Sequence, residues 1–323
     1  MKKEKTTDAY IEKPSFSIKL DRRKKDFKRN WQLYVMSAIP ILLVFVFCYL
    51  PMPGIILAFK KFRYDEGIFG SAWVGLENFK YLFLSDKIWI LLRNTIVSNI
   101  VFFITGTAGC ILLAILMYEL NNARLMKVFQ TVLITPHFLS FVMVSYILFA
   151  FLGTRAGLLT NILAEFGFKR IDFYASPGAW PWILSIVNIW KTVGMGSLIY
   201  YAVFVGVDTE LLEAARIDGA RKVQLYRYIM VPALKKLLCL NIIGAVSGIL
   251  GSSVDMFYTL PKDNPLLYET TDVLSTYILR LFRTVGDMGT SSAASLALNV
   301  VGFILVIVCN SIINKIDPEC ALF

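Results

Sequence analysis

The stretch ELLEAARIDGARKVQLYRYIMVPALKK, residues 210–236, determines how the rest of the chain is interpreted. It is charged, although long apolar runs lie on both sides of it. Gly219 can adopt a positive φ at no steric cost, which suits a turn that ends one short helix before another begins. Pro232 cannot continue a helical hydrogen-bond ladder without a break, so it marks the return to the apolar run. The pattern predicts a helix–turn–helix projection on the polar side of a membrane protein.

Small residues give this projection a surface to which another protein can fit closely. Ala214 and Ala215 lie next to each other on the first helix and form a flat patch beside Glu213 and Arg216. An amphipathic loop lying on the lipid surface would have a similar shape. Shape alone therefore leaves two interpretations, a docking element and a surface loop.

The spacing of the residues favours the docking element, because it resembles a known motif throughout. In the EAA loop of ABC-importer permeases, Glu-Ala-Ala is followed after three residues by glycine and after nine more by Ile-x-Leu-Pro. Val231 stands where leucine is usual. The resemblance implies a coupling helix that docks into a cleft of a cytoplasmic ATPase subunit. The residues implied in this coupling are Glu213, Ala214, Ala215, Arg216, Asp218, Gly219, Ile229 and Pro232.

The composition is that of a membrane protein. The 323 residues are 57% hydrophobic and 17% charged, and several uncharged runs exceed the roughly 20 residues that cross a bilayer as a helix. A net charge of +10 would indicate a nucleic-acid partner in a soluble protein, but here the basic residues flank apolar runs and orient them, so no nucleic-acid partner is expected. The five cysteines show no metal or disulfide spacing. We predict an all-α membrane protein.

Hydropathy and charge predict six transmembrane helices with both termini in the cytoplasm. The basic cluster at 22–29 precedes the first span and holds the N-terminus inside. It is too long and too charged to begin a cleaved signal peptide. The predicted domains are a basic cytoplasmic tail at 1–30, a six-helix transmembrane domain at 31–315 with the coupling loop at 208–236, and a cytoplasmic tail at 316–323. The predicted spans are 31–59, 94–118, 128–153, 180–207, 237–258 and 288–314.

Polar residues inside the fourth and fifth spans are candidates for a translocation path. A charge at the depth of Lys191 is expensive and normally faces a pore, a cavity or a partner, so a substrate contact and a structural ion pair both fit. The fifth span is rich in small and polar residues, which serve either close helix packing or a path for a hydroxyl-rich solute. The candidates are Asn188, Trp190, Lys191, Ser252, Asp255 and Tyr258.

The sequence contains no motif for chemistry of its own. It has no Walker A loop, no nucleophile elbow and no HExxH helix, so we expect no catalytic residue and no metal site. The single histidine, His137, lacks evident partners for catalysis or metal binding. Energy for transport must then come from a partner that hydrolyses ATP, from an ion gradient, or from neither. An ion-coupled secondary transporter would usually show intramembrane acidic pairs or inverted repeats, and neither is found. A membrane-embedded enzyme or a structural subunit is less favoured still.

Beyond the EAA loop, most of the chain resembles the permease subunits of maltose-type carbohydrate ABC importers, in particular the oligosaccharide or multiple-sugar branch. Permeases for amino acids and other solutes also have an EAA loop, but the IWKTVG and C-terminal matches favour carbohydrate. The residues that carry the resemblance are WVGLENF at 73–79, Asn94-Thr95, Pro136-x-Phe138-Leu139-Ser140, IWKTVG at 189–194, EAARIDGA at 213–220 and PECALF at 318–323.

This resemblance implies the type I ABC importer permease fold in the cell membrane, with the chain forming half of a path for a sugar or oligosaccharide. The implied partners are a second permease, two cytoplasmic ATPase subunits that bind ATP and Mg, and an extracytoplasmic solute-binding lipoprotein. The second permease is either a relative or another copy of this chain. No cofactor is expected on the chain itself.

Overall fold

The computed structural model describes residues 16–83, 87–120, 122–153, 157–167 and 169–322. Residues 1–15 of the predicted N-terminal tail and residue 323 of the predicted C-terminal tail lie outside the described residues. The chain divides into two units, Met1–Ile56 and Leu57–Phe323, and the candidate sites lie in the second.

The first unit is built on helix α1 (Phe16–Val44), which continues into the π-helical turn Phe45–Tyr49. The backbone leaves helical geometry at Asn30, where φ is −113° and ψ is 20°. Asn30 therefore separates the basic part of the helix from the apolar run. Large apolar side chains such as Met36 and Phe47 are exposed in this run, as expected for a helix surrounded by lipid.

A two-stranded ribbon begins the second unit and is the one sheet among the described residues. Strand β1 (Lys60–Lys61) pairs antiparallel with β2 (Ala72–Trp73). The side-chain amide of Asn78 donates hydrogen bonds to the carbonyls of Ala58 and Lys60, each at 3.0 Å. The WVGLENF segment is thereby fixed to the start of this unit. Two short helices lie in this first part of the unit, α2 (Gly67–Gly70) and α3 (Glu77–Phe83).

The second span is one continuous helix, whereas the third is broken. Helix α4 (Ile88–Glu119) begins earlier than predicted. In the third span, the helical segments Ala123–Phe138 and Phe141–Leu152 are bent by 97°. Pro136 lies at the bend and has no N–H with which to continue the ladder, so a run predicted as one span folds as two helices. They are α5 (Ala123–Ile134) and α6 (Phe141–Leu152).

The fourth span packs along α4, and the end of α5 also packs against it. It is α8 (Trp180–Val205), and α7 (Leu158–Glu165) lies in the segment before it. A Cβ atom at Gly194 would overlap the backbone carbonyl of Leu133, so only glycine permits this approach of α5 to α8. The glycine in IWKTVG is thus explained by packing of two backbones.

The segment predicted as a helix–turn–helix has that form. Two helices surround Gly219, and a bend of 56° separates Lys222–Ala233 from Lys235–Ser247. A π-helical turn, Tyr226–Met230, lies between the second helix and the proline-containing turn. The helices are α9 (Thr209–Ile217), α10 (Lys222–Leu225), α11 (Val231–Ala233) and α12 (Lys235–Ser247).

The fifth span does not run continuously to residue 258 as predicted. Helix α12 ends at Ser247, and helix α13 (Val254–Thr259) follows only after a non-helical stretch, 248–253. Glycine and serine have low helix propensity, which favours a break here. The side-chain amide of Asn99 donates to the carbonyl of Ile249 at 2.8 Å and replaces part of the missing ladder.

The segment between α13 and the last span, predicted as a loop, contains two further helices that pack against the start of α4. The amide of Asn94 donates to the carbonyls of Glu269 at 3.0 Å and Asp272 at 2.9 Å. The Thr95 hydroxyl accepts from the backbone N–H of Leu274 at 3.0 Å. The Asn94-Thr95 pair therefore anchors this segment. The helices are α14 (Tyr268–Thr271), α15 (Leu274–Arg280) and the last span, α16 (Met288–Ile316).

The prediction of a helical membrane protein is confirmed. Four helical stretches are long and apolar enough to cross a membrane, and the number rises to as many as six if each of two bent pairs forms one span. The four are Phe27–Phe59, Ile88–Glu119, Pro177–Val205 and Met288–Ile316, and the pairs are Ala123–Phe138 with Phe141–Leu152 and Lys222–Ala233 with Lys235–Ser247.

The close approach at Gly194 leads to a first prediction. The substitution Gly194→Ala is expected to cost about 1–3 kcal/mol of stability, because the added methyl group overlaps the backbone of α5. At Gly106 a Cβ atom would meet no described heavy atom within 4 Å, so Gly106→Ala should be neutral or stabilise by about 0.5–1 kcal/mol through helix propensity. Reversible unfolding of the purified variants in detergent measures both effects. Equal stability of the two variants would contradict the packing assigned to Gly194.

Candidate functional site

The 208–236 loop is built around a well-capped first helix. The carboxylate of Asp208 accepts a hydrogen bond from the backbone N–H of Glu210 at 2.9 Å, which satisfies a donor at the start of α9. Leu212 is the buried residue of this helix and packs among side chains of the bundle. Glu213 and Ala214 lie on the opposite, exposed side, so α9 holds to the bundle by one face and presents the other.

The turn after α9 is a Schellman motif. The backbone N–H of Ala220 donates to the carbonyl of Ala215 at 2.9 Å, and that of Gly219 donates to the carbonyl of Arg216 at 3.0 Å. Gly219 has φ of +84°, a left-handed conformation that residues with a Cβ atom rarely adopt. Asp218 is the exposed residue at which the helix ends. The left-handed turn predicted at Gly219 is therefore present.

The second helix is fixed to the bundle by a residue that the sequence did not single out. The carboxylate of Glu119, at the end of α4, accepts hydrogen bonds from the ammonium of Lys222 at 2.6 Å and from the hydroxyl of Tyr226 at 2.7 Å. The Tyr226 ring makes edge contacts with Tyr118 and Phe204, at centroid distances of 6.5 and 6.4 Å. The position of the loop thus depends directly on the end of the second span.

Several predicted coupling residues share one concavity. It has a volume of ≈ 300 Å³, and it is open to the surface beside the Schellman turn. Glu213, Ala214, Arg216 and Pro232 lie outside its lining and are exposed. The lining residues are Ala215, Asp218, Gly219, Ala220, Gln224, Leu225, Tyr228 and Ile229.

Two large apolar side chains of the loop are exposed. Ile217 is 87% exposed and Val223 is 75% exposed, although both lie in a charged segment. Large apolar groups grouped on a polar surface are typical of a site that another protein covers. Both side chains lie on the exposed part of the loop, near the residues of the motif in sequence.

A second candidate site is a cavity of ≈ 700 Å³ between α6, α13 and α15. It brings together two of the predicted path residues, Asp255 and Tyr258. No sequence pattern indicated the remaining members of the lining, because the lining comes from three separate segments of the chain. These are Val142, Ser145, Tyr146, Val254, Thr259, Lys262, Asp263, Leu279 and Arg283.

The other predicted path residues lie outside the lining of this cavity. Ser252 is buried in the break of the fifth span, where its hydroxyl accepts from the side-chain amide of Asn99 at 3.1 Å. Trp190 is 44% exposed on α8, and Asn188 is half-buried there. Lys191 is buried, and its ammonium donates to backbone carbonyls at the bend of the third span. Among the described residues, it forms no ion pair with a carboxylate.

The rim of the cavity is held by a charged network. The guanidinium of Arg280 pairs with Asp263 at 2.8 Å and with Asp272, and it lies over the ring of Tyr268 at 4.2 Å from the centroid. The Tyr268 hydroxyl donates to the Asp263 carboxylate at 2.9 Å. Burial and this hydrogen bond raise the pKa of Tyr268 to about 12, so the phenol stays protonated and remains a donor at neutral pH. No cluster of His, Cys, Asp or Glu in the described parts of the chain could hold a metal ion.

Comparison with known proteins finds similarity over nearly the whole chain. Residues 108–319 match the family described as "Binding-protein-dependent transport system inner membrane component". Protein LplB of Bacillus subtilis (strain 168) is 30% identical over 292 residues, which cover 90% of this chain and 91% of LplB. The polygalacturonan/rhamnogalacturonan transport system permease protein YteP of the same organism is 31% identical over 290 residues, which cover 89% of each chain.

A solved structure shows the same fold. One chain of a bacterial ABC transporter involved in the import of the acidic polysaccharide alginate superposes with a TM-score of 0.81 and 30% sequence identity. The superposition covers 92% of the present chain and 99% of that chain. The residues matched by the family, 108–319, include the whole 208–236 loop and both residues that the cavity brings together.

The contact between Glu119 and the loop leads to a second prediction. The substitution Tyr226→Phe removes a hydrogen bond to a carboxylate and is expected to destabilise the loop by about 1–2 kcal/mol. Tyr228 in the same loop is 67% exposed, so Tyr228→Phe is the matched control and should be neutral. The rate of tryptic cleavage within residues 208–236 measures the opening of the loop. If both variants are cleaved at the wild-type rate, the Glu119 contact does not hold the loop in place.

Proposed function

This chain belongs to the family of inner membrane components of binding-protein-dependent transport systems, and on that premise we propose that it forms half of a translocation path for a sugar or oligosaccharide. The membership confirms the resemblance found in its motifs. The chain is a multi-pass protein of the cytoplasmic membrane and a transport subunit, and ATP hydrolysis takes place on separate ATPase subunits. An extracytoplasmic binding protein delivers the solute.

The substrate class proposed is carbohydrate, and an acidic oligosaccharide is the first substrate to test. Two of the similar proteins bear names or descriptions that refer to polygalacturonan, rhamnogalacturonan and alginate. These polymers contain acidic sugars, and the cavity lining holds two basic residues, Lys262 and Arg283, beside two acidic ones, Asp255 and Asp263, of which Asp263 is paired with Arg280. Hydroxyl groups of the solute also find polar partners there, among them Ser145 and Tyr258. A permease for a non-sugar solute is the alternative within the family.

The proposed topology has six spans with both termini in the cytoplasm. Its support is the number of apolar helices, up to six when each bent pair counts as one span, together with the basic cluster before the first span. In the second pair, Lys222–Ala233 belongs to the 208–236 loop, and the Lys235–Ser247 helix is the part assigned to the fifth span. In this topology the 208–236 loop and both tails lie on the cytoplasmic side. The proposed domains are the basic tail 1–30, the transmembrane domain 31–315 and the C-terminal tail 316–323.

The proposed assembly pairs this chain with a second permease and two ATPase subunits, which carry ATP and Mg. A solute-binding lipoprotein docks on the other side of the membrane. ATP closes the ATPase subunits, and the spans change from inward to outward opening. By linkage, ATP can drive this change only if the ATPase pair binds the two permease states with different affinities. The loop is the element that would carry this difference.

Within the loop, each coupling residue has a proposed role. Glu213 makes a polar or ionic contact with the ATPase, and Ala214 and Ala215 form the close-packing surface. Gly219 makes the turn, and Asp218 braces it. The Glu119 contact would transmit the displacement of the loop to the second span. Arg216, Ile229 and Pro232 complete the proposed coupling set.

The single observation that carries this proposal is that the matched motif lies exposed on a rigid turn. The Schellman motif fixes the backbone at Gly219, and the residues around it are free to contact another protein. An amphipathic loop lying on lipid would instead present its apolar residues along one continuous face.

A third prediction tests this proposal through the conformation of Gly219. The substitution Gly219→Pro fixes φ near −65° and cannot form the turn, so the ATPase should be lost from the complex. Gly219→Asn is the matched control, because asparagine tolerates the left-handed conformation. Each variant is isolated in detergent from its native membranes, and the co-purifying proteins are identified.

The expected result is that wild type and Gly219→Asn retain the second permease and the ATPase, while Gly219→Pro retains only the permease. Uptake of oligogalacturonate by Gly219→Pro should be abolished although the chain inserts in the membrane. Capture of the ATPase by Gly219→Pro at the wild-type level would show that the loop is not the docking element.

A further inference from the structure

The bend of the third span places backbone carbonyls next to a buried cation, and one of them, the carbonyl of Pro136, also accepts from the backbone N–H of Leu139 at 3.2 Å. The helical ladder stops at residues 135–140, where α5 gives way to α6. The ammonium of Lys191, on α8, donates hydrogen bonds to the carbonyls of His137 at 2.8 Å and Pro136 at 3.4 Å, and also to the carbonyl of Leu139. The side chain is only 8% exposed.

A helix that breaks within a membrane needs such a partner. Carbonyls released from the ladder find no water in hydrocarbon, so broken spans occur where other groups of the protein satisfy them. An ammonium has three donors and no acceptor, which matches the three carbonyls around Lys191. Its charge is further stabilised by the ring of Phe141, whose centroid lies 5.0 Å away. The buried charge is therefore explained without a carboxylate and without a substrate.

A glycine on α8 allows close packing beside the same bend. Gly194 follows Lys191 by about one helical turn and lets the backbone of Leu133 approach α8 directly. Two residues of the IWKTVG stretch thus contact the same break. Gly194 packs closely against the end of α5, and Lys191 donates hydrogen bonds to the carbonyls at the bend. Together they fix where α5 ends and where α6 begins.

The direction of α6 matters because this helix forms one wall of the ≈ 700 Å³ cavity. Ser140 caps its first turn by accepting from the backbone N–H of Met143 at 3.2 Å. Val142, Ser145 and Tyr146 face the cavity that also contains Asp255 and Tyr258. The hydroxyl of Ser145 donates to the carbonyl of Thr259 at 2.8 Å and ties the wall to α13.

We propose that Lys191 is a positioning residue for the translocation path: its ammonium caps the broken third span and thereby sets the direction of α6 and of the cavity wall that α6 forms. This inference rests on the proposed function for the role of the cavity. It assigns Lys191 an action through α6 and not a contact with the solute.

Lysine suits this position better than other polar residues. Its ammonium is compact and can point three donors at separate carbonyls, whereas the guanidinium of arginine is planar and wider. Lys191→Arg is therefore expected to fail as a replacement despite keeping the charge. Glutamine offers two amide donors and should retain part of the function, and methionine offers none.

The test follows the accessibility of the cavity wall in the assembled importer. Tyr146→Cys introduces a reporter thiol, and a membrane-impermeant maleimide labels it in proteoliposomes. Mass spectrometry of the peptide that contains residue 146 gives the labelling rate, with the buried Cys110 as an internal reference. The variants Lys191→Met, Lys191→Gln and Lys191→Arg are compared in this background. Thr192→Val is the control, because Thr192 is exposed and its hydroxyl donates to the carbonyl of Asn188 within the same helix, α8.

We expect the labelling rate to fall about tenfold or more in Lys191→Met and Lys191→Arg, to fall less in Lys191→Gln, and to stay unchanged in Thr192→Val. Co-purification of the ATPase shows that each complex has assembled. If Lys191→Met does not assemble, the comparison of Lys191→Gln and Lys191→Arg with the control decides the question. Labelling at the control rate in every assembled variant would overturn the proposal.

A second arm separates this inference from the proposed function. Oligogalacturonate loaded on the binding protein should protect the thiol at residue 146 from the maleimide if the cavity lies on the solute path. A fall in labelling on substitution of Lys191, without such protection, would support the positioning role and reject the cavity as the path of this solute. Protection of the thiol by the solute, without any effect of the Lys191 substitutions on labelling, would support the cavity as the path and reject the positioning role of Lys191.

Discussion

In a bilayer every backbone polar group needs a partner inside the protein, and the form of this chain depends on how that requirement is met at two breaks. Lys191 supplies donors to carbonyls where the third span bends. Asn99 does the same for Ile249, where the fifth span is interrupted. Helices that follow both breaks line the same cavity, so the irregular backbone lies beside the proposed path. The breaks are therefore part of the architecture of the proposed path.

The cytoplasmic element proposed here is joined to more than the two spans that it connects. Glu119 fixes it to the end of α4. At the end of the loop, Lys235 pairs with Asp317 at 2.6 Å and Lys236 with Glu319 at 3.0 Å, and these pairs link the loop to the segment after α16. Exposed ion pairs contribute little to stability individually. Their proposed effect is mechanical. Because they join the loop to other helices, a displacement of the loop would reach the second and last spans as well as the fourth and fifth.

The sequence predicted the class, the family, the helix–turn–helix shape and the left-handed glycine, because hydropathy, motif spacing and turn chemistry are local properties. It did not predict the partners of Lys191, since backbone carbonyls have no residue signature and every position offers one. The breaks near Pro136 and Gly251 could be suspected from breaker residues, but not which side chains satisfy them. The contacts of Glu119 with Lys222 and Tyr226 arise from folding across a large sequence separation, so no local pattern indicates them. Whether the residues assigned to coupling and to the path perform those roles stays a prediction.

The exposed apolar side chains of the 208–236 loop have a consequence for the chain before it is assembled with its partners. Ile217 and Val223 remain in water as long as no other protein covers them. An orphan copy of the chain therefore carries an apolar patch that favours non-specific association and recognition by quality-control proteases. If the ATPase docks on the loop as proposed, assembly would cover these side chains, and an unassembled copy would leave them in water.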